Sequence, residues 1–389
     1  MITTVRIGIY GGSFNPPHRG HTISAVEAAK QLQLDKLFVV PAGEPPHKKL
    51  AANSATAQQR LEMTRLAFAG IDNVEVSDLE VMRPGDSYTI DTVRELKQRY
   101  TDAELYLIMG ADMFESLHTW KNTEELTRLV TPAVMLRGGF DTDAASTQAQ
   151  RLRELGCGAI MLENTAIEVS STELRDKISQ RLKTWHIDDG VYSYIIENGF
   201  YSAKPDFDWL RSQAYAMLEQ KRIMHVAGCE ETAVRLAERW DADVTGAREA
   251  AILHDITKKL NAEAQLQMCA EYGVETDEQE RAAWKMLHSK TAAAYAKKHF
   301  CVSDAVEGAI KWHTTGRADM TLLEKIIYVA DYIEPNRSFD GVGEMRRLAY
   351  SDIDKALILG MEMSIEDLIS RGITPHPTTA GALLFLKER

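Results

Sequence analysis

A chain of 389 residues exceeds what a single hydrophobic core ordinarily serves, so at least two domains are expected. Its 44% hydrophobic and 26% charged content is that of a globular protein, and no apolar run of about 18 residues is present to cross a membrane. The net charge of −12, shared by both halves, excludes a general nucleic-acid binder, which needs a basic face. The four cysteines are scattered without a C-x-x-C pair and no signal-peptide pattern opens the chain, so free thiols in a reducing cytoplasm are expected.

Residues 5–10 read as a first strand and 22–34 as a helix, joined by Tyr10-Gly11-Gly12-Ser13-Phe14-Asn15-Pro16-Pro17-His18-Arg19-Gly20-His21. Strand, glycine turn and helix in that order aim backbone N–H groups and a helix N-terminus at an anion. Gly11 and Gly12 let the backbone approach a phosphate that a Cβ would obstruct. His18 and His21 share a face if the helix begins there, and two imidazoles beside a phosphate can stabilise charge that builds in a transition state. An unbroken apolar strand at 36–41 ends in Pro41 and leads to a loop containing Lys48. A helix at 56–69, a strand at 74–76, a helix at 87–100 and strands at 105–109, 134–136 and 160–162 continue the alternation. The pattern predicts an α/β doubly wound parallel sheet, with ligands beyond the carboxyl ends of its strands.

Val169-Ser170-Ser171-Thr172-Glu173-Leu174-Arg175 opens a later helix with hydroxyls and N–H groups suited to phosphate, and Arg175 follows one turn in. A last helix over 191–201, closed by Gly199, precedes Pro205, and a boundary is expected at 203–208. Domains of 1–203 and 208–389 follow. From Trp209 onward the strand-like runs vanish and the pattern becomes helical.

This second half centres on His254-Asp255 in an amphipathic segment, 247–260. His225 lies upstream, Asp331 downstream, and His288 and His313 between, each in its own helical stretch. Imidazole and carboxylate without thiolate suit Fe or Mn over structural zinc. A metal so bound would acidify its water beside a phosphorus atom. His47, His118, His186, His299 and His376 lack such partners and receive no role.

The G-G-S-F-N-P-P-H-R-G-H stretch resembles the signature of the H-x-G-H nucleotidyltransferases, and in its long form that of the nicotinate-nucleotide adenylyltransferases. Ser87-Tyr88-Thr89-Ile90-Asp91-Thr92, Gly110-Ala111-Asp112 and Thr119-Trp120-Lys121 are similar to further segments of that family, over roughly residues 5–203. The resemblance implies adenylyl transfer from ATP with Mg²⁺, and nicotinate mononucleotide as acceptor. His18, His21 and Arg175 would be the catalytic donors. Gly11, Gly12, Phe14, Lys48, Thr89, Arg137, Ser171 and Thr172 would bind substrate, Asp112 would meet sugar hydroxyls, and Trp120 would stack on the nicotinate ring. One departure is Arg137-Gly138-Gly139 where the family usually shows R-P-G.

The order H, HD, H, H, D on successive helices resembles the HD-domain metal phosphohydrolases. With Trp312-His313-Thr314-Thr315-Gly316 and Asp331-Tyr332-Ile333-Glu334-Pro335-Asn336-Arg337, it is similar to the YqeK-type symmetrical diadenosine tetraphosphate hydrolases. That resemblance implies metal ligands at His225, His254, Asp255 and Asp331, with Asp255 also serving catalysis. Arg222, His288, His313, Thr314, Arg337 and Phe339 would contact the nucleotide, although Ser338-Phe339-Asp340 departs from the family's D-F-P. The whole reads as a bifunctional enzyme of the cytoplasm acting on ATP, nicotinate mononucleotide and diadenosine tetraphosphate; an oligomer is compatible with it. Two competing readings stay open. The first half could be another H-x-G-H transferase, using phosphopantetheine as acceptor or CTP as nucleotide, against which Trp120 and the Ser-Tyr-Thr segment count. The second could be a silent nucleotide-binding module that regulates the first, against which the intact ligand set counts.

Overall fold

The apolar runs of the first half become six parallel strands: β1 (Arg6–Gly12), β2 (Lys36–Pro41), β3 (Val74–Val76), β4 (Glu104–Gly110), β5 (Thr131–Met135) and β6 (Ile160–Leu162). The structure is a computed structural model and describes residues 4–43, 54–135, 150, 158–163, 167 and 169–388. It divides into two compact units, residues 1–204 and 205–389.

The sheet order is β3-β2-β1-β4-β5-β6, so the winding reverses between β1 and β4. Every pairing is parallel, with Tyr10 of β1 beside both Val39 of β2 and Ile108 of β4. Continuous burial along β1, β2 and β4 fits a sheet covered on both faces, and two apolar clusters form its two sides. β5 begins at Thr131, earlier than the expected 134, because Pro132 masks its start in the sequence. Proline is tolerated there since β6 joins the ladder only at Ala133. The helices of this unit are α1 (Arg19–Gln31), α2 (Ala57–Ala67), α3 (Thr89–Arg99), α4 (Ala111–Ser116), α5 (Thr123–Leu129), α6 (Ser171–Ser179) and α7 (Asp189–Asn198). α1 starts at Arg19 rather than 22. His18 caps it, its backbone N–H donating to Nδ1 of His21 at 3.1 Å, which draws the motif into the first turn.

The second unit is helical among its described residues: α8 (Phe207–Met217), α9 (Gln220–Arg239), α10 (Val244–Leu253), α11 (Ala262–Glu271), α12 (Glu278–Ala282), α13 (Leu287–Phe300), α14 (Asp304–Lys311), α15 (Leu322–Ile333), α16 (Val342–Ala349), α17 (Ile353–Ser370) and α18 (Pro377–Lys387). α15 buries Ile326 to Ala330 without a break, so it is a central helix rather than an amphipathic surface one. α9 packs against both α10 and α15. The segment expected as one helix over 247–260 ends at Leu253. Beyond it the chain turns tightly, with Lys258 N–H donating to Asp255 O and Leu260 N–H to Thr257 O. His254 and Asp255 therefore sit where the helix gives way. Among the described residues, no helix is long and apolar enough to cross a membrane.

Candidate active sites

In the α/β unit, the glycine turn leaves the carboxyl end of β1, and Gly110-Ala111-Asp112 leaves the carboxyl end of β4. These are the neighbouring strands at the reversal, where open α/β sheets form a ligand crevice. The loop after β1 is gripped by its carbonyls. Arg60 donates to Ser13 O at 2.8 Å, Arg175 to Asn15 O at 2.7 Å and Ser171 Oγ to Pro16 O at 3.0 Å. Tyr201 donates to Asn15 Oδ1 at 2.6 Å, and Asn15 Nδ2 to Ser54 Oγ at 2.9 Å. With its carbonyls occupied, such a loop has its N–H groups to offer an anion. A Cβ at Gly11 would meet no heavy atom within 4 Å, whereas one at Gly12 would press on the Phe14 ring at 2.9 Å. Gly12 therefore serves packing as well as approach. The middle glycine of the H-x-G-H stretch has a reason the sequence did not reveal: a Cβ at Gly20 would lie 2.9 Å from His18 Nδ1.

The His18 and His21 rings are 3.7 Å apart, tilted by 33°. Because His21 Nδ1 accepts the His18 N–H, the His21 proton sits on Nε2, which makes that atom a donor. Thr172 Oγ1 accepts from Arg175, so Ser171, Thr172 and Arg175 first act by fixing the loop and one another. Thr89 opens α3, and Asp112 lies in the first turn of α4. Trp120 and Tyr88 pack half-buried on the same cluster, with Lys121 Nζ 3.8 Å from the Tyr88 ring centre. Lys48 and Arg137 lie outside the described residues.

In the helical unit, four imidazoles converge on two carboxylates. Each ring is pinned at Nδ1: His254 to Ala251 O at 2.7 Å, His288 to Lys285 O at 2.6 Å, His313 to Ile310 O at 2.7 Å, and His225 to Glu334 Oε1 at 3.1 Å. A carbonyl can only accept, so in the neutral rings of His254, His288 and His313 the lone pair is at Nε2. Nε2 of His288 lies 3.1 Å from Nε2 of His313 and 3.1 Å from Asp255 Oδ1. Nε2 of His225 is 3.0 Å from Asp331 Oδ1 and 3.7 Å from Asp255 Oδ2. His254 is fully buried, and its Nε2 has no hydrogen-bond partner. Acceptors gathered face to face in a buried site call for a cation, so these residues fit a divalent metal.

The comparisons divide the chain the same way. The cytidylyltransferase-like family matches residues 9–177 and the HD domain family residues 222–336. A probable nicotinate-nucleotide adenylyltransferase of Bacillus licheniformis is 38% identical over 197 residues, spanning 50% of this chain and 98% of that protein. A probable nicotinate-nucleotide adenylyltransferase/Ap4A hydrolase of Mycoplasma pneumoniae is 30% identical over 331 residues, spanning 85% of this chain and 88% of its own. The chain belongs to that two-part family. The crystal structure of a predicted HD superfamily hydrolase of Clostridium acetobutylicum is 38% identical, covering 48% of this chain and all of its own, with a TM-score of 0.47.

In this adenylyltransferase/Ap4A hydrolase family member, burial sets the protonation of the clustered histidines and aspartates. It depresses His254 and His288 to about 4, His288 being held down further by Lys258, so both rings are neutral at pH 7. Burial opposes charge on Asp255, but His254, His288, His313 and Lys258 hold its pKa well below the usual carboxylate range. Asp331 is likewise buried yet held low, chiefly by His225. The expected nucleotide contacts surround these carboxylates: Arg222 is 3.1 Å from Asp255 Oδ2, Arg337 is 2.7 Å from Asp331 Oδ1, and Thr314 Oγ1 is 3.4 Å from His288 Nε2. Phe339 is half-buried in the loop before α16.

Sequence reasoning missed Arg60, Glu334 and Lys258. Arg60 is 1% exposed and donates to Ala42 O and Gly43 O as well as Ser13 O, tying the loops after β1 and β2 together. Glu334 orients His225, and Gly228 makes room for it, since a Cβ there would be 2.4 Å from Glu334 Oε2. Lys258 Nζ is 2.8 Å from His288 Nε2.

Proposed function

We propose that the α/β unit transfers AMP from ATP to nicotinate mononucleotide, giving deamido-NAD and pyrophosphate, and that the helical unit hydrolyses diadenosine tetraphosphate to two ADP. Support for the first activity is the carbonyl-anchored loop at the reversal of the sheet, with His18 and His21 in its first helical turn. The acceptor's phosphate oxygen attacks the α-phosphorus and pyrophosphate leaves, so no protein nucleophile is required. The His21 Nε2–H, the Arg175 guanidinium and the loop amides are the donors available to the developing charge, and Mg²⁺ travels with ATP. The helix start at Thr89 favours a carboxylate over a neutral amide, hence the acid substrate.

The observation that carries the second activity is the set of Nδ1-pinned imidazoles turned on Asp255 and Asp331. His225, His254, Asp255 and Asp331 would hold the ion, Fe or Mn, with His288 and His313 close against Asp255. When bound, the ion supplies Lewis acidity and lowers the pKa of water. Arg222, Arg337 and Lys258 hold cationic groups beside the carboxylates and are placed to receive the polyphosphate. The free thiols of Cys229, Cys269 and Cys301 suit a reducing cytoplasm. The test is chromatography of products from ATP with nicotinate mononucleotide, and separately from diadenosine tetraphosphate. Deamido-NAD in the first and ADP alone in the second are expected; ATP with AMP from the second would refute the symmetrical cleavage.

A further inference from the structure

Cys229 stands one helical turn beyond His225 on α9, 2% exposed, with its Sγ 3.9 Å from His225 Nε2. Its sulfur, one ring nitrogen each of His225 and His254, and a carboxylate oxygen of Asp331 all lie within 4.8 Å of one another. Asp255 falls in a neighbouring set, with His254 and His313. His254 is common to both sets, and its buried Nε2, with no hydrogen-bond partner, provides an observation independent of the thiol. We propose that Cys229 Sγ is a ligand of the metal held by His225, His254 and Asp331, so that the centre is a mixed sulfur, nitrogen and oxygen site.

This deepens the metal-centre reading above and rests on it. It also replaces the expectation of imidazole and carboxylate ligands without thiolate. When the ion binds, a metal–sulfur bond forms and the thiol proton leaves to solvent. A soft donor in the set moves its preference toward zinc or iron and away from manganese, whose preferred partners are carboxylate and water oxygens. Asp255 stays a ligand from the other side, its Oδ2 3.7 Å from His225 Nε2 and 3.6 Å from His254 Nε2, while its Oδ1 faces His288 and His313 at 3.1 and 3.7 Å.

X-ray absorption of the full-length protein loaded with one equivalent of zinc tests the assignment directly. A sulfur neighbour at about 2.3 Å is expected beside nitrogen and oxygen at about 2.0–2.2 Å. Cobalt-loaded protein should show a near-ultraviolet sulfur-to-metal charge-transfer band. Cys229→Val and Cys229→Ser should lose that band and bind cobalt at least about tenfold more weakly. Protein carrying Cys157→Ser, Cys269→Ser and Cys301→Ser together should keep both the band and the sulfur shell, a result that does not depend on the Cys229 variants folding. Bound zinc with nitrogen and oxygen neighbours alone overturns Cys229 ligation and leaves the metal centre standing. A sulfur shell that survives Cys229→Val, or vanishes with the other three cysteines replaced, also overturns it. Failure of the wild type to take up metal overturns both readings.

Discussion

In the α/β unit the glycine loop after β1, the proposed phosphate site, is built from backbone. Arg60, Arg175, Ser171 and Tyr201 reach it from α2, α6 and the chain after α7, and each gives a hydrogen bond to a loop carbonyl or to Asn15. The helical unit does the reverse. Its site is made of buried titratable side chains whose outer atoms are fixed by carbonyls and by Glu334, leaving the inner atoms to face one another. A loop held by its own scaffold can stand ready without an ion, whereas opposed acceptors in a buried site are costly until a cation joins them. The two sites should therefore respond differently to mutation, metal and pH.

The largest expected effect is on the first site. His21→Ala removes the Nε2–H donor and should lower adenylyl transfer by about 10²–10³ in kcat, with hydrolysis of diadenosine tetraphosphate unchanged. Steady-state rates for both reactions check this; a parallel fall in hydrolysis would erase the distinction. Next comes metal. At about a hundred times its dissociation constant, a divalent ion should stabilise the helical unit by about 2.7 kcal/mol. Hydrogen exchange should show added protection in α9, α10 and α15, reversed by a chelator, and none in β1 or β4. Glu334→Gln should weaken metal affinity by about 10–100-fold, because Glu334 orients His225 without itself belonging to the proposed ligand set. Titration of the metal-free protein with zinc measures it.

The smallest effect concerns Glu80, which accepts a hydrogen bond from Thr92 at 2.9 Å in the α/β unit. Burial raises its pKa, against the pull of Thr92 and Arg83. A raised folded-state pKa gives a contribution to stability that is present at low pH and lost as pH rises through that value. Glu80→Gln should therefore stabilise the unit at pH 7 and give no gain below the ordinary glutamate range, as denaturant midpoints at the two pH values would show.

Much of this architecture was legible in the chain because the motifs are local. β2 and β3 follow their apolar runs, and Gly199 closes α7 with φ of 63°. Where reading failed, a longer-range partner decided. The early start of β5 depends on where β6 joins, which Pro132 alone does not tell. Arg60 reads as an ordinary exposed residue on a helix, because its acceptors come from residues 13, 42 and 43. Glu334 and Cys229 did leave signals, three residues after Asp331 and four after His225, spacings that share a helix face. The end of α10 at Leu253 had no marker, since His254 itself caps a carbonyl of that last turn.

The independence of the two sites is tested most directly by Asp255→Asn. Asp255 is 1% exposed and is approached by Arg222, His225, His254, Lys258, His288 and His313. The variant should bind less metal and produce no ADP from diadenosine tetraphosphate, while forming deamido-NAD from ATP and nicotinate mononucleotide at the wild-type rate. Continued ADP release, or loss of both activities in a protein that keeps its fold by circular dichroism, would contradict the account.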